Sequence, residues 1–332
     1  MPIPKVTVAV PTLAAGDALA ECLGSLERQT VADFEVIVVD NSGEGRAGSG
    51  KGRERVIANG RNVGFGAAVN QAFRISQAPY LAVLNDDATA DRHWLEALLE
   101  CARRHPGAGM FASQVRMGEV LDSAGMLIAA DGSSKQRGHG EPPEAFAEAS
   151  EALFPSGSAA MYRREMLEQI GGFDESYFLY CEDTDLGLRA RWAGWECRYA
   201  PEAKVEHRYS HTAGAASWAK AYYVERNRLF TIVKNFPLGG LLRAPFAAGL
   251  RYFWHVLLLA EGRGKAWEFQ RGGRGAVWLP VLAVGAHGAA LRHLPSLLRE
   301  RRRIMRSRRI SARDFKRLLA RHAISLRRVA AL

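Results

Sequence analysis

The sequence predicts an α/β protein built on a mostly parallel sheet. Three near-continuous apolar runs, at residues 6–12, 34–40 and 80–84, are rich in Val, Ile and Leu. Segments with apolar residues at helical spacing separate these runs. Strands of a parallel sheet have this composition because helices cover both faces of the sheet, and the alternation of strand with helix is typical of βα units.

Each element follows from a local pattern. Apolar spacing predicts helices over residues 17–29, 65–77 and 91–104, and a short strand over 53–59. Residues 107–153 read only as strand and loop material. Beyond them we predict a small-residue strand at 156–162, an amphipathic helix at 183–193 and a strand ending within 200–207.

The composition is that of a globular protein of one large or two small domains, with 332 residues, 48% of them hydrophobic and 24% charged. The four cysteines have no metal-ligand spacing, which favours reduced thiols in a cytosolic protein. The first residues lead directly into a strand pattern, so we expect no signal peptide.

Charge divides the chain into two parts. Residues 1–214 hold 21 Lys and Arg against 30 Asp and Glu, whereas residues 215–332 hold 24 against 5. We therefore predict a first domain over 1–214, with halves of about 1–105 and 106–214, and a basic helical region over 215–332. A basic appendage of this kind usually meets nucleic acid or an anionic membrane.

An acidic run interleaved with aromatic residues stands out at 173–186. Five carboxylates lie between Asp174 and Asp185, beside Tyr177 and Tyr180. Carboxylates held among aromatic side chains have a raised proton affinity or a neighbouring cation. The alternative is a helix start, where Glu182 and Asp183 would suit the helix dipole.

Acids also follow two predicted strands. Asp40 ends one, and Asn85, Asp86 and Asp87 follow another. The carboxyl ends of parallel strands meet at one edge, where ligands of open sheets bind. Paired acids there suit a hard cation that also holds phosphate.

Two glycine-rich loops have features of phosphate-binding sites. Residues 45–52 approach a phosphate-binding loop, but position 52 is glycine, and a strand rather than a helix follows, so we reject that interpretation. Asn62 and Gly64 precede the helix at 65–77, where backbone amides could approach phosphate. A simple turn before a helix explains these residues equally well.

The ordered set of motifs resembles family 2 glycosyltransferases of the bacterial rhamnosyltransferase-like branch. The resemblance runs from Val6 to about Thr212 and rests on motifs at 8–12, 38–42, 62–66, 84–87, 170–175, 178–186 and 201–203. It implies the GT-A fold, a Rossmann-like sheet with flanking helices, and inverting transfer from a nucleotide sugar.

The resemblance also implies roles for the donor side. Asp40 would contact the nucleotide base in a pocket lined by Pro11 and Thr12, with Asn62 and Gly64 nearby. Asp86 would contact ribose or the sugar. Asn85 stands where the family has the first Asp of its metal motif, so the implied ligands of Mn²⁺ or Mg²⁺ are Asp87 and His207.

On the acceptor side, the resemblance places the catalytic base at Asp183. Inversion requires a carboxylate that takes the proton of the attacking hydroxyl. Glu182 would orient the acceptor, and Asp185 would stabilise the helix or the base, or contact the acceptor. Tyr177 and Tyr180 would shape the acceptor pocket.

The basic region has a membrane-surface pattern. Its apolar stretches at 244–260 and 276–291 are interrupted by Arg251, His255, Pro280 and His287 and are too short to span a bilayer. Trp254, Trp267 and Trp278 beside arginine clusters favour a helix lying in the interface of an anionic membrane. The alternative is a helical subdomain with a solvated basic face. The arginines lack interleaved aromatic residues, so we expect no nucleic acid.

These observations predict a peripheral enzyme on the cytoplasmic side of the cell membrane, acting on a glycan or lipid-linked acceptor. The family resemblance favours dTDP-rhamnose as donor, with UDP-galactofuranose or a UDP-hexose as alternatives. A nucleotidyltransferase and an inactive membrane-bound scaffold are the alternatives from other classes.

Overall fold

The computed structural model describes residues 3–48, 54–207, 218–271 and 279–332. Part of the rejected phosphate loop, at 49–52, and Trp278 lie outside these ranges. The chain divides into two compact units. The first contains the described residues up to Met126, Gln136–Ala190 and those from Trp195 to His207; the second contains Leu127–Lys135, Arg191–Gly194 and those from 218 onward. Two short segments of the predicted first domain therefore pack with the C-terminal helices.

The predicted α/β class is confirmed. The strands are β1 (Val6–Thr12), β2 (Phe34–Asp40), β3 (Arg55–Ala58), β4 (Tyr80–Leu84), β5 (Ala88–Ala90), β6 (Ala108–Met117), β7 (Val120–Ser123), β8 (Met126–Ile128), β9 (Ser134–Gln136), β10 (Ser150–Glu151), β11 (Ala159–Arg163) and β12 (Glu196–His207). Strands β8 and β9 form a separate two-stranded ribbon.

Helices flank the sheet and form the C-terminal region. They are α1 (Asp17–Glu27), α2 (Phe65–Ile75), α3 (Trp94–Arg104), α4 (Arg164–Ile170), α5 (Glu182–Trp192), α6 (Trp218–Asn235), α7 (Leu238–Ala260), α8 (Lys265–Phe269), α9 (Leu279–Ser307), α10 (Ala312–Arg321) and α11 (Leu326–Ala331). The three predicted helices of the amino-terminal half are present, with boundaries that differ by up to three residues.

The sheet topology brings several strand ends to one edge. The main sheet of the described residues runs β10-β12-β6-β11-β4-β1-β2-β3, with β5 and β7 paired to β12 and β6. β1 is parallel to β2 and to β4, and β6 is parallel to β12. The antiparallel strand β11 joins the two groups through β4 and β6, so β12 runs in the same direction as β4.

Apolar burial on both faces holds the sheet. Val8 and Val10 of β1 and Leu84 of β4 share one cluster with Trp94 and Leu98 of α3, all fully buried. Each such side chain contributes roughly 1.5–3 kcal/mol relative to exposure to water. The central strands are therefore a rigid base from which loops at the carboxyl edge project.

The second unit is helical and contains a buried ionic cluster, formed by Asp131, Glu225, Arg228 and Arg251. Arg251 donates to Asp131 at 2.5 Å and to Glu225 at 2.7 Å, and Arg228 also pairs with Glu225. Buried charges of opposite sign must pair in this way to offset their lost hydration. No helix within the described ranges is long and apolar enough to cross a membrane.

Candidate active site

Polar side chains from four strands of the first unit meet at the carboxyl edge. Thr12 and Asp40 end the paired strands β1 and β2, and Asp87 follows β4. His207 ends β12, where it pairs with Ala88 of β5, the residue after Asp87. The shared direction of these strands explains why residues far apart in sequence converge.

His207 lies between two carboxylates. Its Nε2 is 3.2 Å from Oδ1 of Asp87, and its Nδ1 is 3.2 Å from Oδ2 of Asp122. Burial would lower the pKa of this imidazole, but hydrogen bonds and the charges of both carboxylates overcome that effect and raise the pKa to about 9. The structure thus brings together Asp87 and His207, the residues expected to hold a metal.

The chemistry of these side chains fits a divalent cation shared with a substrate. Carboxylate oxygen and imidazole nitrogen are ligands of Mn²⁺, and carboxylates also suit Mg²⁺. Asp122 engages Nδ1 of His207 and so directs Nε2 towards Asp87, the arrangement that orients metal-binding histidines. Within the described part of the chain, no group of three or more His, Cys, Asp or Glu side chains could hold an ion.

Asp86 is fixed to the end of β1. The hydroxyl of Thr12 donates to Oδ2 of Asp86 at 2.6 Å, and the amide of Ala15 donates to that hydroxyl oxygen at 3.0 Å. Burial is the largest cause that raises the pKa of Asp86, and the charge of Asp87 adds to it. Asp86 therefore lies against Thr12, one of the residues expected to line the nucleotide pocket.

Asp40 organises the loop that follows β2. Its two carboxylate oxygens accept hydrogen bonds of 2.8 Å from the amides of Ser42 and Ala47. Burial opposes ionisation of this carboxyl, but the hydrogen bonds prevail and lower its pKa. Asp40 is an ionised anchor at the edge of the sheet, and it is fully buried.

The turn before α2 is built around Gly64. Its amide donates to the side-chain Oδ1 of Asn62 at 2.9 Å, and its φ of +90° favours glycine. A Cβ at this position would lie 2.4 Å from the carbonyl oxygen of Phe178. The Phe65 amide donates to that same oxygen at 2.8 Å. The 178–181 loop can therefore pack against Gly64 because this residue has no Cβ. The amides of Gly64 and Phe65 are already paired within the protein.

Asp183 lies in the first turn of α5 and is held by three donors. Gly157 donates its amide to Oδ2 at 3.0 Å, and the Thr184 amide and hydroxyl donate to Oδ1 at 2.6 and 3.2 Å. Burial raises the pKa of this carboxyl, and the hydrogen bonds oppose the rise without cancelling it. A carboxylate that is fixed in position and more basic than an ordinary Asp suits a general base.

A short backbone bridge connects Asp183 to the acids after β4. Gly157, which holds Asp183, is followed by Ser158, whose carbonyl accepts a 2.9 Å hydrogen bond from the Asn85 amide. Asn85 directly precedes Asp86 and Asp87, and its side chain lies 3.4 Å from Nε2 of His207. The expected base and the expected metal ligands therefore belong to one hydrogen-bonded assembly.

Glu182 is buried beside Asp183, and its Oε2 has no hydrogen-bond partner among the described residues. Burial and the charge of Asp183 raise the pKa of Glu182 to about 8. Glu182 is therefore mostly protonated at neutral pH. Two carboxyls that share a buried site resist joint ionisation.

The loop before α5 has an unusual backbone. Phe178 has φ 63° and ψ −61°, and the Leu179 amide donates to the Tyr177 carbonyl at 2.7 Å, which defines a γ-turn. Tyr180 and Cys181 also have positive φ. Conformations of this kind are costly and cluster at functional sites. Tyr180 is half-buried, so part of its ring is available to a ligand.

Tyr177 and Asp185 lie beneath the site rather than at its surface. Both are fully buried, and the Tyr177 hydroxyl lies 3.3 Å from Oδ1 of Asp185. Arg189 donates to Oδ2 of Asp185 at 2.8 Å and also to the carbonyls of Ile170 and Gly172. Contact of Tyr177 and Asp185 with an acceptor does not fit this burial; they support the loop and the helix that carry Asp183.

Two residues of the site were absent from the sequence interpretation. Asp122 lies in the region that gave no clear pattern, and its Oδ1 is 3.3 Å from Nδ1 of His139. No sequence signal pairs it with His207, because β6 and β7 bring it to the site only through the sheet. Gly157 did carry a signal, since it lies in the segment predicted as a small-residue strand, 156–162.

The mostly parallel sheet, its carboxylate and histidine edge and the buried acid pair are the features expected of a GT-A glycosyltransferase. The Glycosyl transferase family 2 profile matches residues 7–171. An N-acetylglucosaminyl-diphospho-decaprenol L-rhamnosyltransferase of Mycobacterium tuberculosis is 33% identical over 238 residues, 62% of this chain and 77% of the relative. The chain therefore belongs to glycosyl transferase family 2.

Solved structures share the fold. A mannosyltransferase from Pyrobaculum calidifontis, in complex with GDP-Man and Mn²⁺, has a TM-score of 0.52 at 17% identity over 92% of this chain and 86% of its own. GalNAc-T7, solved with UDP, GalNAc and Mn²⁺, has a TM-score of 0.58 at 14% identity, and the match covers 70% of this chain and 48% of the GalNAc-T7 chain.

Proposed function

We propose that this glycosyltransferase moves a sugar from a nucleotide sugar to a glycan or polyprenyl-linked acceptor, with inversion at the anomeric carbon and with bound Mn²⁺ or Mg²⁺. One observation carries the proposal: Asp183 is joined through Gly157 and Ser158 to the segment that bears Asp87. A proton acceptor and a site for a phosphate-binding cation are the two parts that such a transfer requires.

Asp183 acts as the base. Its carboxylate takes the proton of the acceptor hydroxyl while the hydroxyl oxygen bonds to the anomeric carbon from the face opposite the nucleotide. The bond from that carbon to the diphosphate oxygen breaks, and the nucleoside diphosphate leaves. Gly157 and Thr184 fix the carboxylate, and its raised pKa favours proton transfer once it is ionised.

Asp87 and His207 would hold the cation, and Asp122 would orient the imidazole. Bound there, a divalent ion neutralises charge that develops on the leaving diphosphate. Two relatives in fold were solved with Mn²⁺ and a nucleotide or nucleotide sugar, which supports this part of the proposal.

Asp40, Pro11 and Thr12 would receive the nucleotide base, and Asp86 the ribose or the sugar, beside the turn at Asn62 and Gly64. The hydrogen bond between Thr12 and Asp86 supports a common pocket. The mycobacterial relative's name, a rhamnosyltransferase acting on a decaprenyl diphosphate sugar, supports a rhamnose donor and a lipid-linked acceptor. Tyr180 and Glu182 remain the proposed acceptor contacts.

Such an acceptor places the enzyme at the cytoplasmic face of the cell membrane as a peripheral protein. The excess of 24 Lys and Arg over 5 Asp and Glu in residues 215–332 supports attraction to anionic lipid.

A transfer assay tests the proposal. The protein is incubated with Mn²⁺, a short-chain prenyl diphosphate N-acetylglucosamine and one donor at a time, namely dTDP-rhamnose, UDP-galactofuranose or a UDP-hexose. We expect transfer from dTDP-rhamnose, with an inverted anomeric configuration by NMR, and none after chelation. Retained configuration, or transfer that persists without a divalent ion, would refute the mechanism, and preference for a UDP-sugar would replace the donor.

A further inference from the structure

We infer that the outward side of helix α7 is the surface that seats this chain on an anionic membrane, an inference that rests on the proposed membrane location. This surface, the α7 apolar face, consists of large apolar side chains spaced three or four residues apart over most of the helix. Its members are Leu238, Leu242, Phe246, Leu250, Phe253, Val256 and Leu257.

Several of these side chains are mostly exposed. Phe246 is 82% exposed, and Leu242 and Val256 are each 66% exposed. Their spacing covers one side of a helix that is about 30 Å long at 1.5 Å per residue. Contiguous apolar patches of this size mark a surface that binds a partner or a membrane.

The polar and apolar sides of α7 are exchanged relative to those of a helix that faces water. Arg251 lies on its buried side, where it pairs with Asp131 and Glu225, and the Tyr252 hydroxyl donates to Glu225 at 2.6 Å. A water-facing helix presents polar groups outward and apolar groups inward. Here the ionic groups point to the interior of the second unit and the apolar groups point outward, which suits contact with hydrocarbon.

Cations along one margin of the α7 apolar face identify the occupant as anionic lipid. Arg243 is the one charged residue among the exposed positions of α7, all of which are described, and it borders the face. The guanidinium of Arg327 lies over the ring of Trp254 at 5.2 Å. The Lys316 ammonium is 3.5 Å from the position that a Cβ on Gly239 would take.

This arrangement matches a membrane interface better than a second protein chain. Trp beside Arg, at the edge of an apolar surface, is the composition found at the level of lipid headgroups. Basic residues are attracted to an anionic surface, whereas three like charges along a self-paired interface would repel one another.

Helix α9 repeats the pattern along its own length. Its exposed side is apolar at Val281, Val284 and Leu291 and becomes basic at Arg299, Arg302, Arg303 and Arg306. An open groove of about 530 Å³ there is lined by Arg299, Arg302, Arg303, Arg306 and Ser307. The first half thus carries exposed apolar side chains together with His287 and Arg292, and the second half is rich in exposed arginine, a composition that suits a charged lipid surface.

Vesicle flotation tests the inference with the full chain. Vesicles are made of phosphatidylcholine alone or mixed with phosphatidylglycerol. One variant combines Leu242→Gln, Phe246→Gln and Phe253→Gln, and a second combines Arg243→Gln, Lys316→Gln and Arg327→Gln. The control carries Ile3→Gln and Ile75→Gln, which remove exposed apolar side chains from the first unit.

We expect the unmodified chain and the control to float with the mixed vesicles. The apolar variant should lose about a hundredfold or more in partitioning, since three large side chains no longer leave water. The cation variant should lose its preference for phosphatidylglycerol. Melting temperature and donor binding should be unchanged, because every altered side chain is exposed and lies outside the candidate active site.

Three outcomes would overturn the inference: no binding by the unmodified chain, equal binding by the apolar variant, or a dimer in solution that only the apolar variant converts to monomer. Transfer to the short-chain acceptor in detergent separates the two proposals. Transfer without vesicle binding supports the proposed reaction and refutes the inference. Vesicle binding without transfer supports the inference and refutes the proposed reaction.

Discussion

The backbone amide of Gly157 donates a 3.0 Å hydrogen bond to Oδ2 of Asp183. Because the next carbonyl along the chain, that of Ser158, accepts from Asn85, the loop at 157–158 holds the candidate base and the candidate metal segment at once. The loop therefore sets the spacing between the two sides of the site, which a transfer reaction must control closely.

Replacement of the candidate base tests this relationship most directly. Asp183→Asn keeps the shape of the side chain and can still accept a hydrogen bond from Gly157, but it cannot take a proton at neutral pH. We expect turnover to fall about a hundredfold to ten-thousandfold while donor affinity by calorimetry stays the same. Glu175→Gln is the control, because this exposed carboxylate of the same acidic run pairs with Arg74. Near-normal turnover of the Asp183 variant would assign the base elsewhere.

Glu182 should make stability depend on pH. Its pKa rises from an ordinary 4.5 to about 8 on folding, so between these values the folded state retains a proton that the unfolded state releases. The free energy of unfolding must then decrease as pH rises through this window. We expect Glu182→Gln to flatten that decrease, as measured by urea midpoints at several pH values. Parallel curves for the two proteins would show that Glu182 ionises normally.

Gly64 should tolerate no other residue, because a side chain there would clash with a neighbouring loop as well as disfavour the backbone angle. Gly64 and Gly140 both have positive φ, but a Cβ meets the Phe178 carbonyl at 2.4 Å in the first case and nothing within 4 Å in the second. We expect Gly140→Ala to cost about 1 kcal/mol. Gly64→Ala should cost more and should slow transfer, because the 178–181 loop must move. Equal effects in thermal unfolding and turnover would contradict this role.

The buried ionic cluster should stabilise the second unit only as a complete set. Glu225→Gln leaves Arg251 and Arg228 with less buried negative charge, and we expect a loss of about 3–5 kcal/mol in the free energy of unfolding. Glu268→Gln breaks a pair with Lys265 that is largely exposed, so it should cost less than about 1 kcal/mol. Similar losses for both variants in chemical denaturation would mean that the cluster is not tightly coupled.

The sequence predicted the sheet edge but not its full chemistry. Strand periodicity placed Asp40 and Asp87 at the ends of parallel strands, and this required only local patterns. The contact of His207 with Asp122 depends on the pairing of β12 with β6 and of β6 with β7, which no local pattern encodes. The burial of Tyr177 likewise depends on its contact with Asp185, which no local pattern encodes. The sequence therefore predicts a pocket residue where the structure has a buried one.

Asp122 should act on metal affinity through His207. It accepts from Nδ1 at 3.2 Å, and this interaction directs Nε2 towards Asp87. We expect Asp122→Asn to weaken Mn²⁺ binding about 10- to 100-fold, the usual cost of losing a group that orients a metal ligand. Calorimetric titration of Mn²⁺ in the presence of UDP measures this without turnover. His139→Gln is the matched control. Nδ1 of His139 lies 3.3 Å from Oδ1 of Asp122, whereas His207 contacts the other carboxylate oxygen, Oδ2. A purely structural role for Asp122 would lower the melting temperature of the metal-free protein and leave Mn²⁺ affinity unchanged, whereas the orienting role predicts the opposite pair of results.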